Sequence, residues 1–496
     1  MRRKGWTGRL LAVVGIIVAA LALLIAVLVV RTLMLKPAAL ATAQAPAVVA
    51  FDVDQAAQRL GQAIRFETVS HQDRSENDLS QWTAFHDWMA QSYPAFHAAA
   101  KRETVGEGAL IWTWTGRNPQ LQSIILMAHQ DVVPASPETL SEWKTPPFSG
   151  AVVDGAVWGR GAIDDKGSLI ALLEAGEALA KAGRQPERTI IVVSGHDEEV
   201  QGSGAKAVAE VLKARNIRAW FVLDEGSAII EDHPAIKGPA ALIAVAEKGY
   251  VTLKVTAKGQ GGHASAPPQQ TAVSTLARAI TAIEGKAWPL RYDGPTREGL
   301  RELAPYAPFS TRLFLANDWL FGGVLAKQLA SNPSAAAGMH TTIAPTMLTG
   351  SPKENVLPQT ASVWINYRIA PGGSVQSVLD RAKAATKGLP VEITAEGGGR
   401  DPSPISSSQS DAYRYLATAL GQEAPATPIA PSLMIAGSDS RSLVSVADYV
   451  YRFAPNRFHM GELGMVHGVN EHMTLDNLER NIRFYARLMA GEAHAN

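Results

Sequence analysis

Histidine and carboxylate side chains recur in short clusters along the chain, and these residue types bind divalent metal ions. The clusters are His129 with Asp131, Asp164 with Asp165, Glu198 with Glu199, and Asp224 with Glu225. Because the chain contains no cysteine, any metal site must be built from imidazole and carboxylate groups. A single cluster of this kind is typical of a helix cap, a turn or a solvated acid. The succession of clusters predicts a metal centre.

The elements that position these side chains follow an alternating pattern. Apolar segments at 124–128, 190–193 and 220–223 predict buried strands, and a helix is predicted over 168–182. This alternation is typical of an α/β fold with a mainly parallel sheet covered on both faces. Ligands of such sheets bind beyond the carboxyl ends of the strands, where His129, Glu198 and Asp224 are expected.

A second region begins where the hydrophobic pattern changes at Tyr250. Val251, Leu253 and Val255 alternate with polar residues, which predicts a half-exposed strand. A helix around 273–283 and another alternating strand over 362–369 follow. We therefore predict an inserted α+β domain at 249–369, and a catalytic domain formed by 51–248 and 370–496. The glycines at 397–399 are interpreted as a loop.

The N-terminal segment 10–30 consists of apolar residues and glycine. As a helix it would extend roughly 31 Å at about 1.5 Å per residue, enough to cross a bilayer, so a transmembrane helix is predicted. An alanine- and proline-rich linker at 31–50 follows. Basic residues are more numerous before the segment than after it, which places the catalytic domain outside the cytoplasm, in the periplasm or the extracellular space. The alternatives are a cleaved secretion signal, with small-residue patterns at 41–45, and a buried helix.

Composition excludes one class of partner. The 496 residues contain 46 Lys and Arg against 46 Asp and Glu, with no long basic block, so a nucleic-acid partner is not expected. The length suits two or three domains with sizeable cores.

Four motifs together resemble the M20 metallopeptidases. They are His129-Gln130-Asp131, the segment Gly159-Arg160-Gly161-Ala162-Ile163-Asp164-Asp165-Lys166-Gly167, Asp197-Glu198-Glu199 and Leu223-Asp224-Glu225-Gly226. The resemblance covers about residues 55–490 and is strongest to the branch of Gly-Xaa carboxypeptidases and secreted N-acyl-amino-acid amidases. It implies two zinc ions per subunit, with cobalt or manganese as alternatives, and an inserted domain that acts as a lid and forms a homodimer.

The resemblance also implies a ligand set. Asp164 would bridge the two ions, with His129 and Asp224 on one and Glu199 and His467 on the other. Such a carboxylate bridge suits the spacing of about 3.5–4 Å in two-metal hydrolases.

Some of these assignments have neighbouring alternatives. Glu225 offers the same chemistry as Asp224, and His459 and His472 lie close to His467 in sequence. Two further roles follow from the resemblance: Asp131 would orient the ring of His129, and Glu198 would be the general base.

Residues outside the metal site match the family's substrate contacts. His263, in Gly261-Gly262-His263, would donate to the oxyanion of the scissile carbonyl. Asn355 and Arg368 would bind the substrate carboxylate, for which the planar guanidinium is well suited. Gly437 and Ser438 begin a loop whose backbone N–H groups would face an anion. Ordinary loop and strand-edge polarity is the alternative interpretation.

The predicted function is hydrolysis of a peptide or amide bond next to a free α-carboxylate in small peptides. One alternative is an amidohydrolase of fatty-acyl amino acids. The apolar segment 309–321 would then bind the acyl chain of the substrate; the other interpretation of this segment is that it packs in the hydrophobic core. Another is an anchored peptide-binding protein that has lost catalysis.

Overall fold

The computed structural model describes residues 4–200 and 202–492. The helices are α1 Lys4–Met34, α2 Val53–Ile64, α3 Leu79–Ser92, α4 Pro94–Ala99, α5 Lys166–Lys181, α6 Ser203–Ala214, α7 Ala272–Glu284, α8 Gly294–Leu303, α9 Phe309–Ala316, α10 Asp318–Leu329, α11 Pro333–Ala337, α12 Val375–Ala385, α13 Asp411–Glu423 and α14 Leu475–Ala490.

The strands include the three predicted in the first half of the chain. They are β1 Lys101–Val105, β2 Ala109–Trp114, β3 Ile124–Met127, β4 Ala151–Val153, β5 Ala156–Trp158, β6 Ile190–Ser194, β7 Ala219–Asp224, β8 Ile229–His233, β9 Gly238–Glu247, β10 Gly249–Lys258, β11 Gly262–His263, β12 Thr342–Thr349, β13 Val356–Leu357, β14 Thr360–Ile369, β15 Val391–Arg400, β16 Ile429–Met434, β17 Ala447–Arg452, β18 Arg457–Phe458 and β19 His472–Thr474.

The large sheet runs in the order β1-β2-β6-β3-β7-β17-β9-β8-β18, and β16 pairs with β9. Its centre is parallel, because β3 pairs in parallel with β6 and β7, and β7 with β17. Antiparallel pairs flank this centre at β2–β6, β9–β17 and β8–β9. The expected α/β fold is confirmed, but the sheet is mixed rather than mainly parallel.

Helices cover both faces of this sheet. Along β3, Ile124 and Leu126 face the core beneath α2, α5, α13 and α14, whereas Ile125 and Met127 face the core beneath α6. The period-2 alternation of buried apolar residues on both faces explains why the strand has no polar side. Helix α5 ends where Gly183 adopts a φ of 69°, the left-handed conformation that favours glycine after a helix.

The small sheet has the order β12-β14-β10-β15, and α7 and α12 pack on it. It extends beyond the predicted boundary at residue 369, because β15 pairs with β10. The interpretation of Gly397-Gly398-Gly399 as a loop was wrong. These glycines lie within β15 with φ between 64° and 77°, next to a register shift at Tyr250/Thr252, which is typical of a bulge.

Part of the inserted sequence packs on the large sheet instead. Leu303, at the end of α8, lies in one apolar cluster with Ala240 of β9 and Ala430 of β16. The segment between α7 and β12 therefore connects the two sheets.

Helix α1 is long and apolar enough from Gly8 to Met34 to cross a membrane, a test that a signal sequence also passes. The segment after it is docked on the protein body. The backbone N–H of Ala45 donates to Gln422 O at 2.9 Å, and Arg487 donates to Pro46 O at 2.9 Å. The predicted linker is thus held against α13 and α14.

Candidate metal centre and substrate face

Three neighbouring parallel strands end at the same edge of the large sheet. His129 follows β3, Glu198 and Glu199 follow β6, and Asp224 and Glu225 lie at the end of β7. The side chains that the sequence placed beyond strand ends are therefore brought to one edge.

Two groups of potential metal ligands share Asp164. One contains His129, Asp164 and Glu225, and the other contains Asp164, Glu199 and His467; within each group the ligand atoms lie within 4.8 Å of one another. Asp164 Oδ1 is 2.8 Å from His129 Nε2, and its Oδ2 is 3.0 Å from His467 Nε2. The two oxygens of Asp164 thus face different histidines, as a bridging carboxylate requires.

Asp224 does not belong to either group, whereas Glu225, the alternative at the next position, belongs to the first. Its Oδ2 accepts the backbone N–H of Ser440 at 2.8 Å, and its Oδ1 accepts that of Glu225 at 3.0 Å. The side chain of Asp224, the last residue of β7, thus holds the 437–441 loop. Because successive residues along an extended chain point to opposite sides, the side chain of Glu225 points away from that loop. The geometry therefore favours Glu225 as the ligand.

Asp131 is fully buried beneath the site and joins two of its strand ends. Its backbone oxygen lies 3.0 Å and its Oδ1 3.3 Å from His129 Nδ1. Its carboxylate also accepts the backbone N–H groups of Glu198 and Glu199, each at 3.1 Å, and the Ser70 hydroxyl at 2.7 Å. Asp131 therefore fixes the ring of His129 and the turn that carries both glutamates.

A buried ion pair supports the other side of the site and was missed from the sequence. Glu471 Oε1 accepts the backbone N–H groups of Ile163 and Asp164 at 2.9 and 3.1 Å, and its Oε2 accepts from Arg160 at 2.7 Å. Arg160 in turn donates to the backbone oxygen of His467 at 3.1 Å. This pair holds Asp164 and His467 together, with His467 at a φ of 60°.

The electrostatics of these groups fit the binding of cations. Burial opposes ionisation of Asp164, but hydrogen bonds with His129 and His467 outweigh it and hold its pKa below the usual range. Hydrogen bonds to Asp164 and Glu199 raise the pKa of His467 to about 10. Burial raises the pKa of Glu199, and burial with the neighbouring Asp164 and Asp224 raises that of Glu225. The site thus concentrates carboxylates that need positive charge nearby.

A buried oxygen atom without a hydrogen-bond partner also favours cation binding at this site. Within the described ranges, Glu199 Oε1 is buried and has no hydrogen-bond partner. An unpartnered buried carboxylate oxygen is costly unless a donor or a cation lies beside it. Two imidazoles and three carboxylates are also the oxygen and nitrogen donors that zinc accepts. The residues present therefore fit a pair of divalent ions.

Glu198 lies beside these groups without being part of either. Its Oε1 is 3.6 Å from Arg441 Nη1, and both side chains are largely buried. Burial raises the pKa of Glu198 well above its usual value, and the nearby Asp439 raises it further. Glu198 is thus a carboxyl group suited to holding a proton.

The 437–441 loop is anchored by a buried carboxylate. The backbone N–H of Ser438 donates to Glu247 Oε2 at 3.1 Å, and that carboxylate also binds Arg452 at 3.0 Å. The Ser438 N–H is thus used within the protein, and a role for Gly437 and Ser438 in binding substrate stays a prediction. A Cβ at Gly437 would lie 2.8 Å from Arg441 Nη1 and 3.6 Å from Arg400 Nη2. Gly437 therefore lets two guanidinium groups approach the loop.

Arg368 lies near these arginines on the small sheet. The guanidinium carbons of Arg368 and Arg400 lie 5.0 and 5.6 Å from the centre of the Tyr250 ring. Burial lowers the pKa of Arg400, and the nearby Arg441 lowers it further. Arg400 was missed because the end of β15 was interpreted as following a loop. The alternation of Val391, Ile393 and Ala395 was the available signal.

His263 and Asn355 stand together at the ribbon formed by β11 and β13, where Ala264 N–H donates to Asn355 O at 3.0 Å. His263 is exposed, and its Nδ1 contacts the Ser265 hydroxyl at 2.8 Å. In residues 4–200 and 202–492, no hydrogen bond or ion pair joins either residue to the metal-binding groups. Of the alternative histidines, His472 stacks on Trp158 and His459 lies in an exposed turn.

Comparisons with known proteins identify the family of the chain. The model of peptidase family M20/M25/M40 matches residues 125–491. An N-fatty-acyl-amino acid synthase/hydrolase PM20D1 from Xenopus tropicalis is 33% identical over 441 residues, covering 88% of this chain and 85% of that protein. A probable carboxypeptidase S-like 2 from Dictyostelium discoideum is 32% identical over 446 residues, covering 87% and 84%.

Among solved structures, the fold resembles an M20 family metallo-carboxypeptidase, Sso-CP2, from Sulfolobus solfataricus. The TM-score is 0.65 at 18% identity, covering 88% of this chain and 99% of the other. Human carnosine dipeptidase 1 gives a TM-score of 0.60 at 16% identity, covering 89% and 97%.

Proposed function

Because the chain belongs to the M20/M25/M40 family of peptidases and is a hydrolase of that family, we propose that it cleaves an amide bond next to a free α-carboxylate at a dinuclear metal site. The observation that carries this proposal is the position of Asp164 between two groups of ligands. Zinc is the proposed metal. Its holders would be His129 and Glu225 on one side of Asp164, and Glu199 and His467 on the other.

The chemistry divides between the bound ions and Glu198. Divalent ions at such groups supply charge that polarises a carbonyl and lowers the pKa of water. Glu198 takes the proton of the attacking water as the new C–O bond forms. It gives that proton to the nitrogen as the C–N bond breaks, which leaves a carboxylate and a free amine. The raised pKa of Glu198 favours its holding the proton between these steps.

The arginines next to Tyr250 support recognition of a carboxylate. Arg368 and Arg400 lie beside the same ring, and Arg400 and Arg441 both approach Gly437. Clustered guanidinium groups repel one another unless an anion lies between them, and their planar forks suit a carboxylate. We place the substrate's α-carboxylate among them. Asn355, whose Oδ1 is buried without a described partner, is proposed as a further polar contact and His263 as the oxyanion donor.

The test uses amine release from small peptides and N-acyl amino acids. Glu198→Gln should retain its metal content and lose about 10²–10⁴-fold in kcat, because the general base is removed. Glu210→Gln, an exposed position on α6, is the matched control and should be fully active. Chelation should abolish turnover and added zinc should restore it. Unchanged turnover in Glu198→Gln, or in the chelated protein, would contradict the proposal.

A second candidate is hydrolysis of fatty-acyl amino acids. It is favoured by the similarity to the PM20D1 proteins and by exposed apolar residues on α9 and α10. Comparing kcat/KM for a glycyl dipeptide and a long-chain acyl derivative of the same amino acid separates the two candidates. A preference for the dipeptide supports the peptidase.

We also propose that α1 remains as a membrane anchor with the catalytic domain outside the cytoplasm. Its support is the exposure of most large apolar side chains between Leu10 and Val27. Alkaline carbonate washing should leave the full chain with the membrane fraction, whereas a cleaved signal would release a shorter, soluble chain.

A homodimer through the small sheet is proposed as well. Met347 and Leu348 are exposed on β12, an edge strand of that sheet, which is the type of surface that pairs with a second copy. Light scattering of the detergent-solubilised protein should give twice the mass of one chain. Leu348→Lys should reduce the measured mass to that of a single chain. A single chain mass for the wild type would contradict the dimer.

A further inference from the structure

The hairpin formed by α9 and α10 is apolar on both sides. Leu315 and Leu325 point inwards and pack with Leu300 and Tyr292. The outer side carries exposed large apolar residues: Phe309 at 49%, Trp319 at 55%, Leu320 at 44% and Val324 at 53% exposure. A surface helix in water normally presents polar residues on its outer face.

The charged side chains of the hairpin do little to make this outer side polar. Asp318 is buried and pairs with Arg297 at 2.7 Å, so it faces the protein. Arg312 donates to the backbone oxygen of Ala307 at 3.1 Å. Exposed Lys327 lies in the last turn of α10, away from the cluster at Trp319 and Leu320.

The same hairpin is joined to the end of α1. Asn317, between α9 and α10, donates from Nδ2 to Leu28 O at 3.1 Å and to the Thr32 hydroxyl at 3.3 Å. Arg31 donates to Ala316 O at 3.4 Å. Leu28 and Thr32 are buried by these contacts, whereas the apolar helix before them is exposed.

These contacts fix the position of the hairpin along the axis of α1. Thr32 lies two residues beyond the apolar segment 10–30, a rise of about 3 Å along a helix. If α1 spans a bilayer, the hairpin therefore lies where α1 leaves the hydrocarbon. The segment around Ala45 and Pro46 is hydrogen-bonded to the catalytic domain. It is therefore not a flexible linker that would let this domain move away from the membrane.

We propose that the α9–α10 hairpin docks on the lipid bilayer beside α1, with Phe309, Trp319, Leu320 and Val324 inserted at the boundary between headgroups and acyl chains. This inference rests on the proposed anchoring of α1. Helices at such interfaces bury their apolar faces by about 5–10 Å, and tryptophan is enriched there. The continuity of the exposed patch with an apolar helix favours lipid over a second copy of the chain.

The absence of cysteine from the sequence allows a direct test with single nitroxide labels. Labels are placed at Trp319→Cys and Val324→Cys on the hairpin, at Leu21→Cys in α1, and at Leu140→Cys, an exposed apolar position in the catalytic half. The full chain is reconstituted in vesicles of phosphatidylcholine and phosphatidylglycerol. Accessibility to oxygen and to a nickel chelate then gives the depth of each label. Hydrolysis of a glycyl dipeptide, which has no acyl chain to contact α9 or α10, reports whether each variant has folded.

Docking predicts that the labels at 319 and 324 lie about 5–10 Å inside the boundary, the label at 21 lies deeper, and the label at 140 lies in water. Aqueous labels at 319 and 324 with a deep label at 21 would overturn the docking while leaving the anchor intact. An aqueous label at 21 would refute the anchor and the docking that rests on it. Spin–spin broadening at 319 without oxygen accessibility would show a second copy on the patch and would also overturn the proposal.

Discussion

Asp131 and Glu471 hold the candidate metal ligands from beneath, whereas His263 on the β11–β13 ribbon is exposed to solvent and contacts the Ser265 hydroxyl. The two regions are built in opposite ways. At the edge of the large sheet, the buried supporting residues satisfy several backbone N–H groups each, so the ligand positions are fixed before substrate arrives. On the small sheet and the β11–β13 ribbon, the candidate recognition residues are at least partly exposed. Changes at the first region should therefore affect metal content, and changes at the second should affect substrate binding.

The largest expected effect comes from the shared carboxylate. Asp164→Asn should lose affinity for both ions, because the neutral amide cannot bridge them, and turnover should fall further than the 10²–10⁴-fold expected for loss of a general base. Metal analysis of the purified variant and amine release check this. Two retained ions with normal turnover would show that Asp164 is not the bridge.

The next effect separates two adjacent acids. Glu225→Gln should reduce the metal content to about one ion, whereas Asp224→Asn should lower metal affinity by about 10–100-fold, as expected for a residue that positions a ligand. Zinc titration of each variant measures both. If Asp224→Asn loses an ion and Glu225→Gln does not, the ligand choice must be reversed.

A smaller effect is expected on the small sheet. Arg368→Lys should lower kcat/KM for substrates with a free carboxylate by roughly 10–100-fold, since hydrogen bonds to charged groups contribute about 1.5–3 kcal/mol. Its metal content should not change, and hydrolysis of the matching methyl ester should be unaffected. Arg278→Lys, exposed on α7, is the control. An equal loss on the ester would mean that Arg368 does not bind the carboxylate.

The smallest effect concerns the junction between the sheets. Lys248 donates to Ala337 O and His340 O, each at 2.8 Å, and burial lowers its pKa to about 7. In the unfolded chain, the lysine keeps its proton up to about pH 10.4. Between about pH 7 and pH 10, folding therefore releases this proton, and the free energy of unfolding should rise with pH.

Urea unfolding at both ends of this window tests the contribution of Lys248. Lys248→Met should show a weaker rise in unfolding free energy with pH than the wild type, whereas exposed Lys258→Met should keep the wild-type rise. Identical pH dependence in Lys248→Met and the wild type would contradict the assignment.

The sequence predicted the first region better than the second, for physical reasons. Candidate ligands that follow strands take their position from the strand, so the positions of His129 and of the Glu198–Glu199 pair followed from the apolar segments. The choice of Glu199 over Glu198 as a ligand came from the family resemblance. Asp224 and Glu225 could not be separated, because the last residue of a strand and the next point to opposite sides. His467 needed the family resemblance, since its spacing does not distinguish it from His459 and His472.

The supporting residues were harder to predict. Glu471 and Arg160 meet only through the fold, more than 300 positions apart. The three glycines at 397–399 concealed the end of β15 in the sequence. Glycine allows positive φ values, which are typical of loops as well as of bulges. As a result, Arg400 and its position beside Tyr250 were missed.

The central claim is that Asp164 joins two metal-binding groups, and anomalous diffraction from zinc-loaded crystals tests it most directly. Data collected on both sides of the zinc absorption edge should show two peaks, one beside His129 and Glu225 and the other beside Glu199 and His467, with Asp164 in contact with both. A single peak, or a second peak away from Asp164, would contradict the account.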